Sequence, residues 1–261
     1  MLKNARHFII HERVIVVVFM KHIASVSFGK DSTAMLLLLI EKHYALDEVV
    51  FFDTGMEFDA IYHVRDQILP LLYAHGIKYV ELKPPRPFLY DMLEKPIAYR
   101  DKTKGVHCGY GWCGGPCRWG TRAKLDALDR YVKENEAIIY VGMAADEPGR
   151  LKRLEPFKRA PLADWQMTEA EALAYCREKG INWNENGIDL YTILDRVSCW
   201  CCCNKNLKEL RNIREFLPEY WERLIMLQQK IDRPMKRFRK DTQYGDLGDL
   251  RNLDRYWEET G

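Results

Sequence analysis

Ser27-Phe28-Gly29-Lys30-Asp31-Ser32 stands between two apolar stretches, Val14 to Val26 and Met35 to Ile40. A β-branched run, a short polar break with glycine and a second apolar segment read as a strand, a tight loop and a helix N-terminus. A loop that ends on unpaired helix amides is an anion site. Gly29 lets the backbone approach a ligand closely, Lys30 supplies a point charge, and Ser27 and Ser32 offer hydroxyls. Asp31 would repel phosphate unless it caps the helix or places Mg²⁺. The spacing is not that of a Walker A loop, which requires G-x-x-x-x-G-K-[ST].

The pattern continues as alternating elements. Thr33 to His43 reads as a helix, Glu48 to Asp53 as a short strand, Asp59 to His75 as a helix stopped by Gly76, and Lys78 to Leu82 as the next strand. Thr121 to Asn135 reads as a helix, Ala137 to Gly142 as a strand and Ala144 to Arg159 as a polar loop, with helices dominating from Thr168 onward. Such alternation predicts a doubly wound, mostly parallel sheet covered by helices. Residues 1–21 form an N-terminal extension, read either as an added strand or as sequence upstream of a start at Met20.

Forty Lys and Arg against 38 Asp and Glu leave a formal charge of +2, so no global field points to nucleic acid or an anionic membrane. The longest apolar run near the N-terminus, Val14 to Phe19, is too short to span a bilayer, and no A-x-A-like cleavage site follows it. A cytoplasmic protein is expected. One local basic stripe stands out, Lys230, Arg233, Lys236, Arg237, Arg239 and Lys240 around Phe238, fit for a nucleic-acid backbone or for a solvated helix end.

Seven of the eight cysteines fall in two groups, Cys108, Cys113 and Cys117, then Cys199, Cys201, Cys202 and Cys203. In a reducing compartment such groups mean metal or redox chemistry rather than disulfides. Cys113 and Cys117 with Cys199 and Cys202 supply four thiolates, which suit tetrahedral zinc or a 4Fe-4S cluster. Cys108, Cys201 and Cys203 stay open as an alternative ligand, a persulfide carrier or a redox partner. Cys176 stands apart and reads as a buried small residue.

The opening loop resembles the modified P-loop, or PP-loop, of the adenine nucleotide alpha hydrolase superfamily. Asp53-Thr54-Gly55 with Glu57 is similar to the D-T-G-x-E segment of that superfamily's phosphoadenosine phosphosulfate (PAPS) reductase branch. Gly142 to Glu147 with Arg150, Pro161-Leu162-Ala163-Asp164-Trp165, and Cys199-Trp200-Cys201-Cys202 followed by Pro218-Glu219-Tyr220-Trp221 resemble its later segments in order. Two departures stand out: Ala144 where the branch commonly has arginine, and Cys203 in place of proline after C-x-x-C.

The resemblance implies a Rossmann-like α/β fold, with a PP-loop domain over 22–165 that includes a Cys-rich loop at 99–120, and a helical region over 166–261 carrying the C-x-x-C. It implies ATP with Mg²⁺ as cofactor, bound by Ser27, Phe28, Gly29, Lys30, Asp31, Ser32, Asp53, Gly142 and Arg150, with Lys30, Asp31 and Ser32 catalytic. It favours a 4Fe-4S cluster over zinc on Cys113, Cys117, Cys199 and Cys202. The activity implied is cleavage of ATP to AMP and pyrophosphate to activate an acceptor for sulfur transfer to a nucleic acid or small molecule. The implied partners are an adenine nucleotide, a tRNA or DNA acceptor and a sulfur-donor protein, with a homodimer as a compatible assembly and no membrane. PAPS or adenylyl sulfate reduction is the alternative, disfavoured because no cysteine follows Cys203 to act as the reductase nucleophile. A non-catalytic nucleotide-binding or nucleic-acid-binding module is the third reading.

Overall fold

The computed structural model describes residues 5–11, 14–113, 117–236, 240–241 and 243–261. They fold as two compact units, the first formed by 1–53, 59–83 and 125–183, the second by 54–58, 84–124 and 184–261.

In the first unit, β1 (Ala5–His11) and β2 (Val14–Phe19) pair antiparallel as a separate two-stranded sheet. The apolar run from Val14 to Val26 thus divides at Met20, and β3 (Lys21–Ser25) enters the main sheet. Then follow α1 (Lys30–Glu41), β4 (Glu48–Phe52), α2 (Asp59–Ala74) and β5 (Lys78–Leu82). In the second unit the chain forms a short antiparallel ribbon, β6 (Pro96–Ala98) with β7 (Val106–Cys108). It returns to the first unit along α3 (Ala123–Glu134), then β8 (Ala137–Val141), α4 (Pro148–Leu151), β9 (Lys158–Arg159), α5 (Pro161–Asp164) and α6 (Glu169–Glu178). The segment expected as a polar loop at 144–159 thus holds a helical turn and the edge strand β9.

The main sheet has the order β5-β4-β3-β8-β9, with every neighbouring pair parallel. Successive strands run outward from β3 to β5, and the chain then crosses back to place β8 on the other side of β3. Beside β3 the strand order reverses, and such a switch point opens a crevice at the carboxyl ends of the strands. All five residues of β4 are buried, as a central strand covered on both faces requires. Ile23, Val50 and Ile139 pack under Leu128 and Val132 of α3. Alternation turns Phe51 to the opposite face, where its ring meets Phe28 edge-on at 5.2 Å.

The second unit continues from β10 (Asn184–Glu185) and β11 (Ile188–Asp189) into α7 (Leu190–Ile193), α8 (Leu207–Phe216) and α9 (Pro218–Lys230). The chain ends through β12 (Lys240–Asp241), β13 (Gly245–Asp246) and α10 (Leu250–Thr260). Its core gathers Phe58, Leu210, Ile213, Tyr220, Leu224 and Leu253, all buried, with the Phe58 and Tyr220 rings 4.8 Å apart. Asn206 caps α8 and Glu209 returns the bond to its amide, a reciprocal capping box. The Cys-rich stretch at 99–120, read from sequence with the 22–165 domain, packs as part of this second unit. No described helix is long and apolar enough to cross a membrane.

Candidate functional site

The loop after β3 is built by its own hydroxyls and one strained residue. Ser32 Oγ accepts the Ser27 amide at 3.1 Å, lies 3.1 Å from Ser27 Oγ and donates to the Gly29 carbonyl at 3.1 Å. Phe28 is fully buried in the left-handed region at φ 55°, a conformation that costs a non-glycine residue on the order of 1 kcal/mol. Packing against Phe51 and a 2.7 Å bond from the Trp183 indole to the Phe28 carbonyl hold it there. Gly29 is the N-cap of α1, and no side chain caps that helix. Asp31 is therefore not the cap.

Lys30 is buried, and its ammonium donates to Asp31 Oδ1 at 2.7 Å and to Glu169 Oε2 at 2.5 Å. Glu169 opens α6, where Asp146 Oδ1 accepts its amide at 3.0 Å. Burial raises the Asp31 carboxyl above its ordinary 3.8, opposed by Lys30 and reinforced by the charges of Glu169 and Glu147. An anion reaching Lys30 would compete with two carboxylates that hold it in the ligand-free state.

Gly142 follows β8 on the other side of the switch point. A Cβ there would stand 2.7 Å from both the amide nitrogen and the Cα of Ser32, so only glycine permits this approach to the first turn of α1. Asp53 follows β4 and accepts the Tyr62 hydroxyl at 2.7 Å, with Lys83 Nζ at 4.0 Å. Ser27–Ser32, Asp53 and Gly142 thus all lie at the carboxyl ends of adjacent strands. Arg150 is half-exposed and its guanidinium is turned onto both Glu147 oxygens at 2.6 and 2.7 Å. Ala144 is fully buried, and its amide donates to Glu147 Oε2 at 3.2 Å. Cys176 is buried as expected and donates to the Lys30 carbonyl at 3.4 Å, its thiol pushed up by burial to about 12.

The second unit holds the sulfur groups. Cys199, Cys201, Cys202 and Cys203 follow one another on a tight turn closed by Cys202 N–H to the Cys199 carbonyl at 3.0 Å. The Cys203 thiol donates to the Cys113 carbonyl, which joins the early group to the late one. Burial raises the Cys201 and Cys203 thiols, and the neighbouring Cys202 and Cys117 add to that rise. Cys108 is exposed on β7. Among the described residues, no three His, Cys, Asp or Glu side chains already surround one point. The donor chemistry nonetheless suits a thiolate-bound centre, since both cysteine pairs named from sequence lie in this unit. Residues 114–116 between Cys113 and Cys117, and Arg237, Phe238 and Arg239 of the basic stripe, lie outside the described residues.

Two residues neighbour the sulfurs: Thr54, within the Asp53-Thr54-Gly55 segment, and Lys205, which carries no signal in the sequence. Thr54 Oγ1 donates to Glu57 Oε1 at 2.8 Å and lies 3.6 Å from Cys199 Sγ, which donates to the same carboxylate at 3.8 Å. Burial, then the Glu57 charge, raises the Cys199 thiol well above its ordinary 9.0. Lys205 is 1% exposed. Its ammonium donates to Ser198 Oγ at 3.3 Å and sits 5.3 Å from the Phe58 ring centre, with no carboxylate in ion-pair range among the described residues. Burial lowers its pKa, while Cys202, Glu209, Cys199 and Cys201 favour its charge.

The family model described as the phosphoadenosine phosphosulfate reductase domain matches residues 21–202, well over half of the chain. The chain belongs to this family. Two uncharacterized proteins of Methanocaldococcus jannaschii, MJ0066 and MJ0973, are each 26% identical to it, over 76% and 77% of the chain. The chain spans 39% and 46% of their respective lengths. Among solved structures, the U34-tRNA thiolase NcsA from Methanococcus maripaludis with its 4Fe-4S cluster is similar at TM-score 0.45 and 15% identity, over 88% of this chain and 77% of that one. The NMN synthetase from Francisella tularensis is similar at TM-score 0.34 and 13% identity, over 78% and 86%. The family match, rather than these two structures, carries the assignment.

Proposed function

We propose that the chain binds Mg-ATP on the Ser27–Ser32 loop and cleaves it to AMP and pyrophosphate, activating a nucleic-acid acceptor for sulfur transfer. The observation that carries the reading is the uncapped N-terminus of α1 at the switch point, with Gly142 pressed against it and a buried lysine beside it. A twelve-residue helix presents its first amides and positive end to phosphate there, and Lys30 adds a full charge.

An acceptor oxygen attacks the α-phosphorus, the bond from that phosphorus to the bridging oxygen breaks, and pyrophosphate leaves with the electron pair. The α1 amides and Lys30 stabilise that leaving charge, and the Ser27 and Ser32 hydroxyls orient the phosphates. Asp31 places Mg²⁺, which neutralises phosphate charge when bound. A sulfur nucleophile then attacks the acceptor atom bearing the adenylate, forming its bond to sulfur as the bond to the AMP oxygen breaks. Cys113, Cys117, Cys199 and Cys202 would hold a thiolate-bound centre, 4Fe-4S or zinc, whose chemistry when bound is to accept and present sulfur.

Incubation with ATP, Mg²⁺, a sulfide donor and tRNA or single-stranded DNA tests the reading. AMP and pyrophosphate should appear one to one with sulfur in the acceptor, and Lys30→Ala should lower the rate on the order of a hundredfold. Sulfite release from PAPS with reduced thioredoxin, without pyrophosphate, would overturn it in favour of a reductase.

A further inference from the structure

The segment 84–124 holds eight Lys and Arg against three Asp and Glu. That excess of five exceeds the +2 of the whole chain, so the remaining sequence is net acidic and the positive charge is local. Two of its three acids are already engaged. Asp91 takes Arg86 at 3.4 Å and Lys95 at 3.3 Å, and Asp101 accepts the Thr103 hydroxyl at 2.6 Å and the Thr103 amide at 3.1 Å.

Of the six cations that remain, three stand at the tip of the β6–β7 ribbon. Tyr99 N–H donates to the Gly105 carbonyl at 3.1 Å, and Gly105 at φ 73° closes the turn between the two strands. Arg100, Lys102 and Lys104 stand exposed in this turn, and among the described residues none of them has an ion-pair partner. At the base, the Tyr99 and His107 rings lie 4.6 Å apart, with Tyr99 37% exposed and Val106 62% exposed. Three cations against the single carboxylate of Asp101 on an exposed turn, next to the partly exposed Tyr99–His107 ring pair, combine the two features that hold a single strand: charge for phosphates and a face for bases.

We propose that the β6–β7 ribbon grips a single-stranded nucleic acid, with Arg100, Lys102 and Lys104 on its phosphates and Tyr99 stacked on an unpaired base. The grip itself stands on the ribbon alone; that the gripped strand is the acceptor of the reaction rests on the function proposed above. A protein ligand is disfavoured because the tip presents net positive charge around one ring pair.

Fluorescence anisotropy of labelled single-stranded RNA and DNA with the full chain, across a salt titration, tests this. The triple variant R100A/K102A/K104A should bind about tenfold more weakly, and the slope of log affinity against log salt should fall by about 2, for three phosphates on a single strand. Tyr99→Ala should weaken binding about tenfold and leave that slope unchanged. Affinity for Mg-ATP, measured without acceptor, should be the same in both variants as in the parent. Parent protein that binds neither strand, or a triple variant with unchanged affinity and slope, would overturn the proposal. Strand binding that follows this pattern in a protein without pyrophosphate chemistry would instead overturn the proposed function and leave the ribbon's role standing.

Discussion

Gly142 approaches Ser32 so closely that a single methyl group on it would lie 2.7 Å from the Ser32 backbone, where no rotamer change can relieve it. The end of β8 thereby fixes where α1 starts. Gly142→Ala should push the loop off its position, costing about 1–3 kcal/mol of stability and roughly tenfold or more in ATP affinity. Chemical denaturation and calorimetric titration with Mg-ATP check this, and unchanged ATP affinity would separate Gly142 from the phosphate site.

Asp31 carries a pH signature. Its carboxyl is raised in the folded protein by burial, so it binds a proton more readily folded than unfolded. The sign follows: its contribution favours folding below pH 3.8, and is lost as pH rises through the raised folded value. Asp31→Asn should therefore stabilise the ligand-free protein at pH 7 by on the order of 1 kcal/mol, with the gain shrinking toward pH 3.8. The same variant should lose Mg²⁺-dependent ATP cleavage. A destabilised variant that still requires Mg²⁺ would contradict both halves.

The thiols predict opposite behaviour for metal-free and loaded protein. Burial raises Cys117 and Cys199, and pushes Cys203 up to about 11, so these are protonated at neutral pH. Their stabilising contribution is present below the ordinary thiol value of 9.0 and is lost as pH climbs beyond it. Metal-free protein should weaken in denaturation midpoint above about pH 9. Metal loading must expel the protons, so zinc or iron affinity should rise between pH 7 and 9, up to about tenfold per unit for each proton released. Competition with a chromophoric chelator across that range measures it.

Lys205 is buried with no carboxylate in ion-pair range among the described residues, and a charge held there costs several kcal/mol unless an anion answers it. Lys205→Met should stabilise the metal-free protein by about 1–3 kcal/mol, while lowering the amount of iron or zinc retained on purification. Denaturation of the metal-free form and metal analysis of the loaded form read the two effects separately. Retained metal equal to the parent's would show that the thiolate centre does not supply the missing counter-charge.

The parts of this molecule legible in the sequence are those with local signals. The Ser27–Ser32 loop is announced by its strand, glycine and helix, β4 and β5 by their apolar runs, and the sulfur groups by cysteine spacing. What the sequence does not announce are partners brought together by the fold. Glu169 meets Lys30 across 139 positions, and Cys199 meets Thr54 across 145. Arg150 pairs with Glu147 three residues away, a contact that the local spacing alone allows. Only a capping-box pattern at Thr168 and Glu171 marks where α6 starts, and nothing in it tells that the next residue, Glu169, faces a lysine. Lys205 looks like any polar residue ahead of the Asn206 cap, because burial is a property of the surrounding chain rather than of the residue.

The bond from Trp183 to the Phe28 carbonyl has a practical corollary. It couples an indole to the backbone of the very loop that should receive a nucleotide, and indole emission responds to the loss or gain of a hydrogen bond at its nitrogen. The chain has seven tryptophans, and Trp183 is the one tied to that loop by a described bond. The protein therefore carries an intrinsic optical gauge of its loop, and the Trp183→Phe variant identifies the part of the emission that belongs to it.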